Sequence, residues 1–271
     1  MSVSETVRIA KISLEKVAGE EAAQQAKLLI AAVLGVEPGA LMVHTWAEVT
    51  NEQMETIGEL LERRASGEPL QYILGEWSFM GLPFITDERA LIPRQDTELL
   101  CETAITLIKE RNYQTCLDLC TGSGCIAISI AKRTGISVTA TDLSADALSL
   151  TQENAELNEV SVARIECDLF DGVEGMFDLI TCNPPYLDNK DMEELQQEIR
   201  YEPKQALYGG EDGLDFYRRI ARSYFPHLNP GGVLLLEIGS TQADSVRGLF
   251  GEKTRLIHDI CDNPRVVVVE Y

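Results

Sequence analysis

The N-terminal part of the chain places apolar residues at helical spacing. Val3, Val7, Ala10, Leu14 and Val17 recur at steps of three and four, which predicts an amphipathic helix with one buried stripe. Ser2 and Glu5 stand three apart at its start, the pattern of a capping box. Glu20 to Leu34 is alanine-rich and predicts a second helix, stopped by Gly35. A short segment follows Pro38. Thr50 and Gln53 form another capping pattern ahead of a helix with Met54, Ile57, Leu60 and Leu61 on one side, and Gly67 is placed to end it. Residues 1–69 therefore read as a small helical bundle.

The pattern changes at Gly67-Glu68-Pro69. Short apolar runs broken by Gly75, Gly81 and Pro83 predict a β-hairpin linker over residues 70–94. Beyond it, helices and strands alternate. Helices are expected over Thr97–Lys109, Ile126–Lys132 and Ala145–Asn158. Strands are expected over Thr115–Leu119, Val138–Thr141, Arg164–Cys167, Phe177–Cys182 and Gly232–Ile238. Strand and helix in turn give an α/β domain, residues 95–271, with a parallel, doubly wound sheet.

Composition narrows the class. The chain has 271 residues, 45% hydrophobic and 25% charged, enough for a full core. No apolar run reaches the roughly 18 residues of a membrane span. Met1 to Glu5 shows no basic segment leading an apolar one, so a cytoplasmic protein is expected. The net charge of −21, with no Lys/Arg cluster, disfavours bare nucleic acid as a partner and favours a basic protein. An acidic surface that only aids solubility fits the charge equally well. The seven cysteines include no C-x-x-C pair, and buried reduced thiols are expected. Cys116, Cys120 and Cys125 have the wrong spacing for a zinc knuckle. His44, His227 and His258 are isolated from one another and read as ordinary surface or core residues. No metal site is expected.

Candidate chemistry begins after the first strand of this sheet. Asp118-Leu119-Cys120-Thr121-Gly122-Ser123-Gly124 is a loop in which glycines let the backbone turn and approach a ligand. Asp142 ends the next strand, where an acid can accept from both ribose hydroxyls. Gly122-x-Gly124-x-x-Ala127 also satisfies a dinucleotide fingerprint, so the loop alone admits two cofactors. Asp118 favours S-adenosylmethionine, since a carboxylate there suits a cationic amino group and repels a pyrophosphate. Asp168, Leu169 and Phe170 end the third strand, where a nucleobase edge and face would lie. A strand-end turn is the alternative.

Asn183-Pro184-Pro185-Tyr186 follows the fourth strand, 61 residues after Gly122. Two prolines make a stiff loop with few donors. The Asn183 side-chain oxygen and the Pro184 carbonyl can accept both hydrogens of one planar NH₂ group, over which Tyr186 can pack. Such a loop selects adenine, guanine, cytosine or a glutamine amide without choosing among them. A proline-rich turn is the bland reading.

Longer stretches resemble one family. Pro69-Leu70-Gln71-Tyr72-Ile73-Leu74-Gly75, Ile92-Pro93-Arg94, the glycine loop, Asn183-Pro184-Pro185-Tyr186, Tyr201-Glu202-Pro203 and Gly209-Gly210-x-Asp212-Gly213-Leu214 resemble the bacterial peptide chain release factor glutamine methyltransferases, the PrmC/HemK family. The resemblance implies a helical bundle, a hairpin linker and a seven-stranded, Rossmann-like methyltransferase domain. It implies S-adenosylmethionine as cofactor and the glutamine of a Gly-Gly-Gln tripeptide in class 1 release factors as substrate. By position, Thr121 to Gly124, Asp142, Leu169 and Asn183 would contact the cofactor. Asn183 to Tyr186 would hold the glutamine, and the helical domain would dock the factor. Gln95-Asp96 stands where many members have Pro-Glu, and Cys120 where glycine is common.

Overall fold

A computed structural model describes residues 1–43 and 45–271, so the expectation for His44 lies outside the described residues. The chain divides into two compact units, residues 1–75 with 196–201 and residues 76–195 with 202–271.

The first unit holds α1 (Val3–Ala18), α2 (Ala22–Leu34), α3 (Asn51–Ala65) and α4 (Leu70–Leu74). Both expected capping boxes form, Ser2 with Glu5 and Thr50 with Gln53. Gly35 ends α2 in the left-handed conformation. The buried face of α1 is Val3, Thr6, Ala10 and Leu14. Thr6 rather than Val7 takes the second position, because its hydroxyl donates to the Ser2 carbonyl at 2.9 Å and stays satisfied inside. Arg64 is fully buried, donating to Gln25 Oε1 at 2.8 Å and to the Glu68 carbonyl at 3.2 Å. Its second Nη pairs with Glu198, which fastens residues 196–201 into this unit. A buried guanidinium is tolerable only with such a set of acceptors.

The second unit opens with the hairpin β1 (Glu76–Phe79) and β2 (Leu82–Ile85). The hairpin is therefore shorter than the linker expected from residue 70, since Leu70–Leu74 is helical and ends at a left-handed Gly75. The main sheet comprises β3 (Thr115–Leu119), β4 (Ser137–Asp142), β5 (Ala163–Glu166), β6 (Phe177–Cys182), β7 (Leu228–Glu237), β8 (Thr254–His258) and β9 (Pro264–Glu270). Its order is β5-β4-β3-β6-β7-β9-β8, with β3 to β7 parallel and β9 antiparallel to both neighbours.

Helices α5 (Gln95–Arg111), α6 (Cys125–Thr134) and α7 (Ala145–Leu157) bury one face of the sheet. Helices α9 (Asp215–Ser223) and α10 (Ala243–Phe250) bury the other, and the short α8 (Asn189–Glu193) lies in the connection after β6. The period of two divides neighbours between the two cores. Cys116, Val266 and Val268 face the first, while Leu117, Val267 and Val269 face the second. Strand order reverses at β3, whose neighbours are β4 and β6, so a crevice opens at their carboxyl ends.

Candidate active site

The loop after β3 is built from beneath. Asp118 is fully buried and accepts from Thr121 Oγ1 at 2.6 Å and from Thr181 Oγ1 at 2.7 Å. Burial raises its pKa to about 6. Direct contact with a cofactor amino group was the expectation, but this carboxylate lies under the loop and outside the cleft wall, bonded to Thr121. By strand alternation it shares a sheet face with Cys116. Above it Cys120 adopts φ 55, a left-handed geometry that costs a side chain about 1–2 kcal/mol and that glycine would enter freely. Gly124 caps α6 at φ 80, packed so closely on α7 that an added Cβ would meet Thr151 Cγ2 at 2.8 Å.

Asp142, at the end of β4, accepts from Gly122 N–H and from Ser144 N–H, each at 2.9 Å. Burial raises its pKa, against those two bonds. Cys120, Thr121, Gly122, Ser123 and Asp142 line an open cleft with about 1040 Å³ of unfilled space. Asp168 and Leu169 line it as well, Leu169 in a left-handed geometry with φ 55. Asp168 pairs with Arg219 at 2.7 Å at the same wall, so a ligand amino group would share that carboxylate. Phe170 lies outside the wall and stacks on His227 at 4.9 Å between centroids.

Asn183 and Pro185 complete the wall at the end of β6. The Asn183 Nδ2 donates to Thr97 Oγ1 at 3.2 Å, which leaves its oxygen as the end without an assigned donor. Pro184 is buried and Tyr186 is half-buried against the second core, both outside the wall. Burial pushes the Tyr186 phenol to about 12, so it is neutral near pH 7. The segment after the tetrapeptide bonds to Leu207, with Leu187 N–H donating to the Leu207 carbonyl at 2.9 Å. An added Cβ on Gly213 would lie 2.3 Å from the Tyr186 carbonyl oxygen, so this backbone-on-backbone contact requires glycine.

Several residues of the cleft carried no assignment in the sequence. Ile92, Pro93 and Arg94 form one wall. They are held by the buried Glu202, which accepts from Ile92 N–H at 3.0 Å and pairs with Arg94. Asn154, also buried, accepts from Ile85 N–H at 2.7 Å and donates to the Ser123 carbonyl at 3.0 Å, tying the hairpin to the glycine loop. Thr97 and Glu237 lie beside Asn183 and are both buried.

A release factor glutamine methyltransferase from Geobacter sulfurreducens is 42% identical over 234 residues, covering 85% of this chain and 82% of that protein. The chain belongs to the release factor glutamine methyltransferase family. A member from Koribacter versatilis is 37% identical over 249 residues, covering 90% of this chain and 89% of its own. Residues 5–75 match the PrmC N-terminal domain and residues 95–213 the methyltransferase small domain. The first match lies wholly in the first compact unit, and the second lies in the second unit except for residues 196–201. A crystal structure of a methyltransferase from Pyrococcus furiosus shares the fold at a TM-score of 0.52 and 21% identity, covering 71% of this chain and 90% of that one. Among the described residues, no helix is long and apolar enough to cross a membrane.

Proposed function

We propose that this enzyme transfers a methyl group from S-adenosylmethionine to the side-chain amide nitrogen of the Gly-Gly-Gln glutamine in class 1 peptide chain release factors. One observation carries the reading: the Asn183 carboxamide borders the same cleft as the Asp142-clamped glycine loop, with its NH₂ end turned onto Thr97. The cleft fits the cofactor, since it joins a carboxylate, Asp142, to apolar walls at Ile126 and Leu169.

When bound, the cofactor supplies an electrophilic methyl group on a sulfonium. Asp142 would accept from its ribose hydroxyls, and Thr121 to Gly124 would follow its backbone. The protein's task is then to present a poor nucleophile. An amide nitrogen has a delocalised lone pair, and two acceptors on its hydrogens, Asn183 Oδ1 and the Pro184 carbonyl, orient it and favour charge building up there. Holding it in line with the methyl group adds a proximity contribution of roughly several kcal/mol. Tyr186 would pack over the amide plane. No strong base is required beforehand, because the methylated, protonated nitrogen is very acidic.

Residues 1–69 would dock the factor, and the net charge of −21 would favour a basic domain. The decisive experiment incubates the chain with S-adenosylmethionine and a purified release factor. Mass spectrometry should find one methyl group on the tripeptide glutamine. Labelling of DNA or naked RNA instead, under the same conditions, would replace protein with nucleic acid as the substrate.

A further inference from the structure

Two buried groups beside Asn183 have no part in the reaction as described. Thr97, in the first turn of α5, is 2% exposed, and its Oγ1 accepts from Asn183 Nδ2 at 3.2 Å. Glu237, the last residue of β7, is also 2% exposed. The Thr97 hydroxyl and the Asn183 amide lie beside its carboxylate and favour its charged form, while its Oε2 is buried without a hydrogen-bond partner. An incompletely satisfied buried carboxylate is unfavourable for the fold, so its place next to the reacting loop calls for a functional account.

A carboxamide has a donor end and an acceptor end of almost equal shape. Packing alone cannot choose between them, but hydrogen-bond partners can. Glu237 is an acceptor when ionised. Thr97 accepts from Asn183 through a lone pair, so its own hydrogen can turn to the neighbouring Glu237 carboxylate, whose charged form it favours. Both therefore demand the Asn183 NH₂, which turns the oxygen to the cleft. We propose that Thr97 and Glu237 are positioning residues that fix the Asn183 carboxamide with its oxygen toward the nitrogen to be methylated. The proposal rests on the reading of Asn183 as an acceptor for that nitrogen.

The charge state of Glu237 then matters. It is faced by Asp96 of α5, Arg265 of β9, Cys125 of α6, Tyr217 of α9 and Tyr186 of the loop. Burial and Asp96 raise its pKa to about 7, against the hydrogen bonds and Arg265. Protonated Glu237 can donate, and then it no longer selects the NH₂ end. Turnover should rise with pH through about 7.

The test measures methyl transfer to a purified release factor at saturating cofactor and factor, from about pH 6 to about pH 9. Cofactor affinity is measured by calorimetry on the same proteins. Thr97→Val should lower kcat about tenfold or more with little change in cofactor Kd, and Thr97→Ser should recover most of it. Added to Asn183→Ala, Thr97→Val should cost nothing further, because no amide remains to be oriented. Glu237→Gln should lower kcat and abolish the rise through neutral pH. An equal loss from Thr97→Val in both backgrounds, or a surviving pH rise in Glu237→Gln, would overturn the positioning role alone. Native turnover by Asn183→Ala would overturn it together with the reading of Asn183.

Discussion

Asp142 reaches back twenty residues to accept the Gly122 N–H at 2.9 Å, and its other oxygen takes the Ser144 N–H. One carboxylate thus fixes the turn of the glycine loop and presents its remaining lone pairs to the cleft. Asp142→Ala should remove both effects and weaken S-adenosylmethionine binding by about 1–3 kcal/mol. Calorimetry with the cofactor and its demethylated product checks this, with NAD giving no measurable heat. Native affinity in the variant would remove Asp142 from the cofactor site.

Gly124 should be replaceable only at a structural cost. Its φ of 80 disfavours any side chain, and an added Cβ would also meet Ile128 Cδ1 at 2.9 Å and Thr151 Cγ2 at 2.8 Å. Gly135, at φ 73, has open space around it and separates the two effects. Gly135→Ala should cost about 1 kcal/mol from backbone strain, and Gly124→Ala roughly 1–3 kcal/mol more from overpacking. Denaturant melts of the two variants measure the difference. Equal losses would mean that α7 yields freely.

Much of this architecture was readable locally, and the exceptions have physical causes. Capping patterns, glycines and prolines act over a few residues, so Ser2–Glu5, Thr50–Gln53 and the ends of β3 and β6 were found from the sequence. Leu70–Leu74 read as part of a hairpin because five mostly apolar residues between Pro69 and Gly75 are too few to show a period. The sequence pattern predicts no strand at β8 or β9. The run Val266–Val269 is buried on both faces of the sheet and shows no alternation. The site divides the same way. Asn183 and Asp142 stand at strand ends, a position with its own signature, while Thr97 reaches Asn183 across 86 residues by tertiary contact alone. Asp118 was read from its place before the loop, but its strand face turns it under the loop.

Asn183 gives a prediction that depends on its neighbour. Asn183→Ala should reduce turnover about a hundredfold, as for loss of one oxyanion-hole donor. Asn183→Asp keeps an acceptor but puts a second carboxyl beside Glu237, whose pKa is already about 7. Two such groups hold a proton between them. The protonated pair can still show a carbonyl oxygen to the cleft, so activity should survive on the acid side and fall above neutral pH. A pH–rate profile of the variant checks this. Activity that climbs with pH would show that the added charge helps the reaction.

Every residue lining the cleft belongs to the second compact unit. A chain beginning at Glu76 should therefore still bind S-adenosylmethionine. If residues 1–75 dock the substrate, this chain should methylate a full-length release factor about tenfold or more slowly. It should treat a short peptide bearing the Gly-Gly-Gln sequence as the intact enzyme does. Equal rates on the full-length factor would leave the helical unit a shielding role only.

Glu237 should also show itself in stability, with a sign opposite to its effect on turnover. Its folded-state pKa, about 7, lies above the ordinary 4.5, so between those values the native protein keeps a proton that the unfolded chain has released. Stability therefore falls as pH rises through that window, and the full penalty is present above it. Asp118, raised to about 6 by burial, contributes in an overlapping window, so a melt of the native chain alone would not separate the two. Comparing it with Glu237→Gln does, because Asp118 is common to both proteins. Glutamine has no charge to desolvate. The variant should gain on the native chain as pH rises from about 4.5 to about 8, by on the order of 1–3 kcal/mol, or roughly 2–4 °C per kcal/mol in Tm. A gap that stays flat with pH would mean that Glu237 does not titrate there. A gap that widens while the variant's turnover falls would mark Glu237 as a residue kept for catalysis at the expense of the fold.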